Sequence, residues 1–183
     1  MDFNHFLTSY MPDPNIGSKI HFQNMVEQSI LAEKLGYKTV SIPEHHLINL
    51  LMMPSPLQMA VKIAALTKNI SVSTSVAVLP LHDMRTYAGE VSTADILTDG
   101  RLILGVARGA FPWEMEKLGT PIEHSKEKFI ESLEVLQKLL AEEEVSFKGK
   151  YYNFDTLTIM PRPITQPVPI MIAAMDPKSI KNA

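Results

Sequence analysis

A carboxylate and two imidazoles follow one another in the sequence at Glu44, His45 and His46. An imidazole with its ordinary pKa of about 6.5 can donate or accept a proton near neutral pH, so the run suits general acid–base chemistry. A metal site is one alternative, but consecutive residues of an extended chain point to opposite faces, so the three side chains cannot all converge on one ion. The other alternative is a histidine that only forms structural hydrogen bonds.

The residues just before this run predict a short, partly buried strand. Val40 and Ile42 alternate with Thr39 and Ser41, and Pro43 cannot donate to a sheet ladder, so the strand ends there. In parallel α/β folds the active site is built where the carboxyl ends of the strands and their exit loops converge. We therefore expect the site at this end of a parallel sheet.

Strands and helices are predicted to alternate along the whole chain. Apolar runs indicate strands over residues 3–10, 39–42, 70–79, 102–107 and 169–174, and helical spacing indicates helices over residues 20–35, 57–67, 84–97 and 126–142, the last with Ser125 as its N-cap. Residues 145–159 predict a hairpin that turns at Lys148-Gly149-Lys150. This alternation favours a parallel α/β sheet with helical crossovers.

Two ways of closing such a sheet are open: a doubly wound sheet or a (β/α)₈ barrel. A doubly wound sheet is expected to place a glycine-rich phosphate turn after its first strand, and here that loop holds only Gly17. The barrel is therefore favoured. Because a complete barrel takes about 250 residues, we predict a single barrel-type domain over residues 1–183 with about five β/α units, either a fragment or a reduced relative.

Composition excludes several classes of function. The net charge of −3 and the absence of any Lys/Arg run longer than two argue against a nucleic-acid partner. The chain has no cysteine, which excludes thiolate metal sites and disulfides and fits a cytoplasmic protein. We also expect no membrane segment and no signal peptide, because no apolar run approaches 18 residues.

The loop over residues 50–56 is unusually apolar, with two leucines and two methionines before Pro54. Such a loop either packs on the body of the fold or lines a pocket for an apolar substrate.

Four segments, in this order and at this spacing, resemble the bacterial luciferase-like flavin monooxygenase family. They are the strand around Phe3 and Thr8-Ser9-Tyr10, the run from Gly36 to His46, the strand end from Val76 to His82, and the run from Gly100 to Gly109. The similarity extends through the hairpin to Ala174. It implies a (β/α)₈ barrel fold and an FMN-dependent enzyme.

The resemblance also implies roles for individual residues. It places His45 against the flavin ring as the acid/base group and Glu44 among the cofactor-binding residues. It places Arg108 near the flavin phosphate, for which a planar guanidinium is well suited, although an ion pair with a neighbouring carboxylate is the alternative. Ser179 would contact the same phosphate from a helix start.

Two further positions follow from the same resemblance. Ala77-Val78 matches a cis non-proline peptide beneath the flavin. Glu114 falls in a loop where some members carry an acid on the substrate side, with a solvated carboxylate as the more ordinary alternative.

The expected function is a monooxygenase that oxidises an organic substrate with O2 and reduced FMN, with a flavin reductase as a possible partner. The alternatives are an F420-dependent oxidoreductase of the same fold and a non-catalytic flavin-binding protein. The resemblance also implies a homodimer through the second and third helices, and Met59, Ile63 and Tyr87 are expected to place apolar area on those helices that one sheet leaves uncovered.

Overall fold

The computed structural model describes residues 1–174. Its strands are β1 (Asn4–Phe6), β2 (Thr39–Ile42), β3 (Ser71–Thr74), β4 (Ala77–Val78), β5 (Leu102–Ala107), β6 (Val145–Lys148), β7 (Asn153–Leu157) and β8 (Ile170–Ile172). Its helices are α1 (Ser18–Lys34), α2 (Pro56–Ala64), α3 (Met84–Leu97), α4 (Pro112–Lys117) and α5 (Ile122–Ala141).

The main sheet is parallel throughout, as the alternation predicted. Strand β1 pairs with β2, β2 with β3, and β3 with β5, while β4 and β8 also pair with β5. Strands β6 and β7 form the predicted antiparallel hairpin. Strands β3 and β4 pair with successive parts of β5 and together occupy one position in the sheet. The positions therefore follow the chain from β1 through β2, β3 with β4, and β5 to β8. This is the topology of a barrel that is open between β1 and β8 within the described residues.

The strand predicted over residues 70–79 is broken in two, and the cis peptide bond lies at this break rather than at its predicted position. The cis non-proline bond joins Ser75 to Val76, not Ala77 to Val78. Ala77 and Val78 pair in parallel with Val106 and Ala107, so they belong to the extended strand β4 that resumes after the break.

A glycine permits the close approach of β3 and β5 at this break. The hydroxyl of Thr74 donates a hydrogen bond of 2.6 Å to the carbonyl oxygen of Gly105. A Cβ atom at position 105 would collide with the carbonyl oxygen of Thr74, a backbone atom that cannot move away freely. Only glycine therefore fits at this point of β5.

One hydrophobic core lies between the sheet and its helices. Val40, Val72 and Leu104 of the sheet are fully buried, as are Ile63 of α2 and Leu136 of α5. Met59 and Tyr87 are also buried in this core, at 5% and 2% exposure. The expectation that Met59, Ile63 and Tyr87 leave apolar area uncovered was wrong, because this chain's own core covers them.

Two helix predictions need correction. Helix α5 begins at Ile122 rather than at residue 126, and the hydroxyl of Ser125 donates to the carbonyl of Ile122 from inside the helix instead of capping it. The short helix α4 was not predicted at all. Among the described residues, no helix is long and apolar enough to cross a membrane.

The apolar loop over residues 50–56 packs on the body of the fold. Met53 is 1% exposed and belongs to the core, and the amide of Met52 donates to the carbonyl of Ser9. These contacts support the packing interpretation, while Met53, Pro54 and Ser55 also line a cavity, so the pocket interpretation stays a prediction.

Candidate active site

Three segments meet where the parallel strands end. The exit of β2 carries Glu44, His45 and His46, and the amide of Val78 in β4 donates a 2.9 Å hydrogen bond to Oε2 of Glu44. The amide of His46 donates to Oε1 of Glu114, in the helix that follows β5. Residues far apart in the sequence are thereby joined at the carboxyl ends of the strands, as the sequence analysis expected.

Glu44 is a buried carboxylate that holds this end of the sheet together. Its side chain is fully buried, and Nε2 of His46 and Nε2 of His82 each lie 2.7 Å from its Oε1. Burial by itself raises the pKa of Glu44, but the hydrogen bonds from His46, His82 and the Val78 amide outweigh that effect and lower the pKa to about 2. The carboxylate is therefore charged at neutral pH.

Glu44 is hydrogen-bonded to this chain's own groups in this arrangement, and its contact with a cofactor stays a prediction. Both oxygens already accept hydrogen bonds from this chain's own groups. The hydrogen bond to Glu44 raises the pKa of His46, and the charges of Glu44 and Glu114 add to that effect. The geometry thus gives Glu44 a supporting position beneath the site.

Two stacked aromatic rings lie beside the group formed by Glu44, His46 and His82. The rings of His82 and Tyr87 lie 4.3 Å apart between centroids and 24° from parallel. Burial raises the pKa of Tyr87 well above its usual value, and the negative charges of Glu44 and Glu90 act in the same direction. Tyr87 is therefore a neutral phenol at physiological pH.

His45 differs from its two histidine neighbours because it is free of Glu44. Its side chain is 21% exposed, and its Nδ1 lies 3.6 Å from Oε2 of Glu114, within ion-pair range but beyond hydrogen-bond length. This Nδ1 is buried and has no hydrogen-bond partner among residues 1–174. Phe111 packs edge-on against the ring at 5.1 Å between centroids. His45 therefore retains hydrogen-bonding capacity at a buried Nδ1.

Glu114 is a site residue whose burial was not expected from the sequence. It is 2% exposed, so the expectation of a solvated carboxylate was wrong. Helix α4 carries it into the site and begins with Pro112, a residue that favours the first position of a helix. Phe111-Pro112, followed by an acid in the first turn, is the signal that could have identified this helix.

The turn before α4 depends on a glycine. Gly109 has a φ of 91°, in the region that residues with a Cβ avoid, and a Cβ there would lie 2.5 Å from Sδ of Met115. Met115 is fully buried. Glycine therefore allows α4 to lie close to the end of β5 and to present Glu114 to the histidines.

Arg108 lies at the carboxyl end of β5 and is exposed. Within residues 1–174 it forms no salt bridge, so the alternative of an ion pair with a neighbouring carboxylate has no support there. Ala77 and Val78 are buried at 0% and 6% exposure. Ser179 lies outside the described residues.

A metal ion has no evident ligand set among residues 1–174. No group of three or more His, Asp or Glu side chains there is arranged to hold one. Oε1 of Glu44 instead receives two imidazole nitrogens directly.

Comparison with known proteins identifies a family. The model of the luciferase-like monooxygenase family matches residues 1–183. The oxygenase component of a flavin-dependent trigonelline monooxygenase from Acinetobacter baylyi is 30% identical over 86% of this chain and 44% of its own length. An F420-dependent glucose-6-phosphate dehydrogenase from Amycolatopsis mediterranei is 32% identical over 88% of this chain and 50% of its own.

A solved structure agrees with these relatives in fold. The monooxygenase crystallised from Streptomyces bottropensis has a TM-score of 0.93 and 27% identity, covering 100% of this chain and 56% of the other. The chain spans about half the length of the curated relatives it matches.

Proposed function

Because the chain belongs to the luciferase-like monooxygenase family, we propose that it binds reduced FMN at the carboxyl ends of its parallel strands. The proposed activity is oxidation of an organic substrate with O2. The observation that carries the proposal is the pairing of His45, an imidazole with an unsatisfied Nδ1, with the buried carboxylate of Glu114 at this end of the sheet. An imidazole and a carboxylate in contact at a strand end suit proton transfer.

The residues present fit a flavin. When bound, the flavin supplies the redox chemistry, and the protein supplies binding, orientation and proton transfer. We assign His45 to hold and move a proton beside the ring. The exposed guanidinium of Arg108, which forms no salt bridge within residues 1–174, suits a phosphate, and Ser179 is proposed to contact the same group. Ala77 and Val78 of strand β4 are proposed to lie beneath the ring.

Two other functions remain as alternatives. A relative at 32% identity is F420-dependent, so hydride transfer with F420 at the same strand ends is the second candidate. A flavin-binding protein without catalysis is the third candidate.

We also propose partners and an assembly. An organic substrate, O2 and possibly a flavin reductase follow from a monooxygenase function, and a cytoplasmic location is expected from the absence of cysteine. A homodimer through α2 and α3 is proposed on different residues from those expected, since Leu97 of α3 and Leu66, two residues after the end of α2, are 55% and 47% exposed. Light scattering at micromolar concentration tests it, and a clean monomer would refute it.

Titration of the purified protein with FMN and with F420, each oxidised and reduced, tests the function. Absorbance and flavin fluorescence give the dissociation constants. Tighter binding of reduced FMN than of F420 is expected. Tighter binding of F420 would support the second candidate, and no binding of either would refute both. Flavin binding without O2-dependent turnover would leave the third candidate.

A further inference from the structure

The oxygens of Glu114 have different partners, and this difference determines what His45 meets. Oε1 accepts the backbone N–H of His46, a group that can only donate. Oε2 lies 3.6 Å from Nδ1 of His45. The first contact fixes the orientation of the carboxylate, so the second oxygen is held facing the imidazole.

The imidazole offers one buried nitrogen to this oxygen. Nδ1 of His45 has no other hydrogen-bond partner, although it is shielded from water. A neutral imidazole carries a proton on one nitrogen and a lone pair on the other. A lone pair directed at a carboxylate oxygen would be repulsive, whereas an N–H there makes a charge-assisted hydrogen bond.

We propose that Glu114 is a positioning residue that holds His45 in the tautomer with its proton on Nδ1. A shift of a few tenths of an ångström brings the 3.6 Å separation to hydrogen-bond length, as often happens when a ligand closes a site. Nε2 then carries the lone pair and is the atom that accepts a proton. The role in turnover rests on the proposed function, but the tautomer does not.

The variant Glu114→Gln tests the tautomer sharply. The amide oxygen of Gln replaces Oε1 as acceptor for the His46 N–H, and the amide NH2 then faces His45. Because NH2 only donates, Nδ1 must become an acceptor, and the proton moves to Nε2. The substitution keeps the size of the side chain while inverting the hydrogen bond. A merely structural role for Glu114 would not predict this inversion.

The measurement is 15N NMR of His45 in flavin-free protein, at a pH where the ring is neutral, with the signal assigned by its loss in His45→Ala. The wild type is expected to show a protonated Nδ1 and an unprotonated Nε2, and Glu114→Gln the reverse. Glu116→Gln is the matched control, because it removes the same charge from an exposed position on the same helix. The control should match the wild type.

Two results would overturn the proposal: a wild-type His45 with its proton on Nε2, or the same tautomer in Glu114→Gln and in the wild type. If the protein also turns over a substrate, Glu114→Gln should reduce the rate by roughly 10²- to 10⁴-fold, the size of a lost acid/base group, while the FMN dissociation constant is unchanged. Failure to bind flavin would refute the proposed function and leave the NMR result as the test of Glu114.

Discussion

Strand β5 has an arginine at each end, and the two are used in opposite ways. Arg101, just before the strand, donates to the carbonyls of Thr98, Ile70 and Ala64 and to the hydroxyl of Thr67. Arg108, just after it, is exposed and forms no salt bridge within residues 1–174. One guanidinium is committed to the fold, while the other is available to a ligand.

Other charged side chains at the amino-terminal edge of the sheet are, like Arg101, hydrogen-bonded to this chain's own groups. Oε1 of Glu33 accepts three consecutive amides, those of Lys68, Asn69 and Ile70. The buried carboxylate of Asp95 accepts both the amide and the hydroxyl of Thr165. At the carboxyl edge, by contrast, Nδ1 of His45 is unsatisfied. Barrel folds divide stability and function between their two ends in this way, and unsatisfied groups mark the functional end.

The largest expected effect is on catalysis at the carboxyl edge. His45→Ala should lower turnover by roughly 10²- to 10⁴-fold, because a general acid/base group is lost, and should leave flavin affinity nearly unchanged. Steady-state rates and a flavin titration on the same preparation measure the two effects. Loss of flavin binding as severe as that in Arg108→Ala would contradict the division of roles between these residues.

Arg101→Ala should reduce stability without affecting the site. Its removal leaves buried carbonyls at the amino edge without a donor, so we expect the free energy of unfolding to fall by roughly 3 kcal/mol. Urea denaturation measures the loss. FMN affinity should stay at the wild-type value, and a weakened affinity with intact stability would reverse the proposed contrast between the two arginines.

Glu44→Gln should lower the free energy of unfolding, because the Glu44 carboxylate stabilises the fold at the carboxyl edge. The pKa of Glu44 falls from an ordinary 4.5 to about 2, so the charged carboxylate contributes about 3 kcal/mol that is fully present above pH 4.5. That contribution is lost as pH falls from 4.5 towards 2.

The stability difference between wild type and Glu44→Gln should therefore shrink over the same range. Thermal melts between pH 2 and 7 follow it, with Glu143→Gln, an exposed site, as control. A difference that stays constant with pH would show that Glu44 stabilises by packing alone.

Arg108→Ala is expected to have the smallest effect and to complete the comparison. Loss of one charge-assisted phosphate contact should weaken FMN binding by about 1.5 to 3 kcal/mol. Stability should change by no more than about 0.5 kcal/mol, because an exposed side chain with no partner is removed. Riboflavin, which lacks the phosphate, should bind wild type and variant equally. An unchanged FMN dissociation constant would argue against Arg108 as the phosphate ligand.

Local signals predicted the order of the main elements, although the strand expected over residues 3–10 spans only Asn4–Phe6 and the helix expected over residues 57–67 ends at Ala64. Helix α3 and strand β5 have the bounds expected from the sequence, because Asp99-Gly100 separates a clear helical period from a clear apolar strand. The break between β3 and β4 could not be predicted, since it depends on the contact of Thr74 with Gly105, 31 residues away.

The candidate site could likewise be predicted only in part from the sequence. His45 and Arg108 could be identified because strand ends and a family resemblance point to them. The resemblance also pointed to Glu114, but its burial could not be predicted, because it depends on the amide of His46, 68 residues earlier, and on the turn at Gly109. Contacts of this kind arise only when the sheet has assembled, and a pattern read along the chain does not contain them.

Helix α4 also gives the protein an internal optical probe. Trp113 is the only tryptophan in the sequence, it is 53% exposed, and it directly precedes Glu114. The tryptophan emission of this chain therefore originates beside the candidate site. A half-exposed indole has a water-shifted spectrum, so a ligand that covers α4 should move the emission to shorter wavelength. A flavin close enough to absorb that emission should quench it.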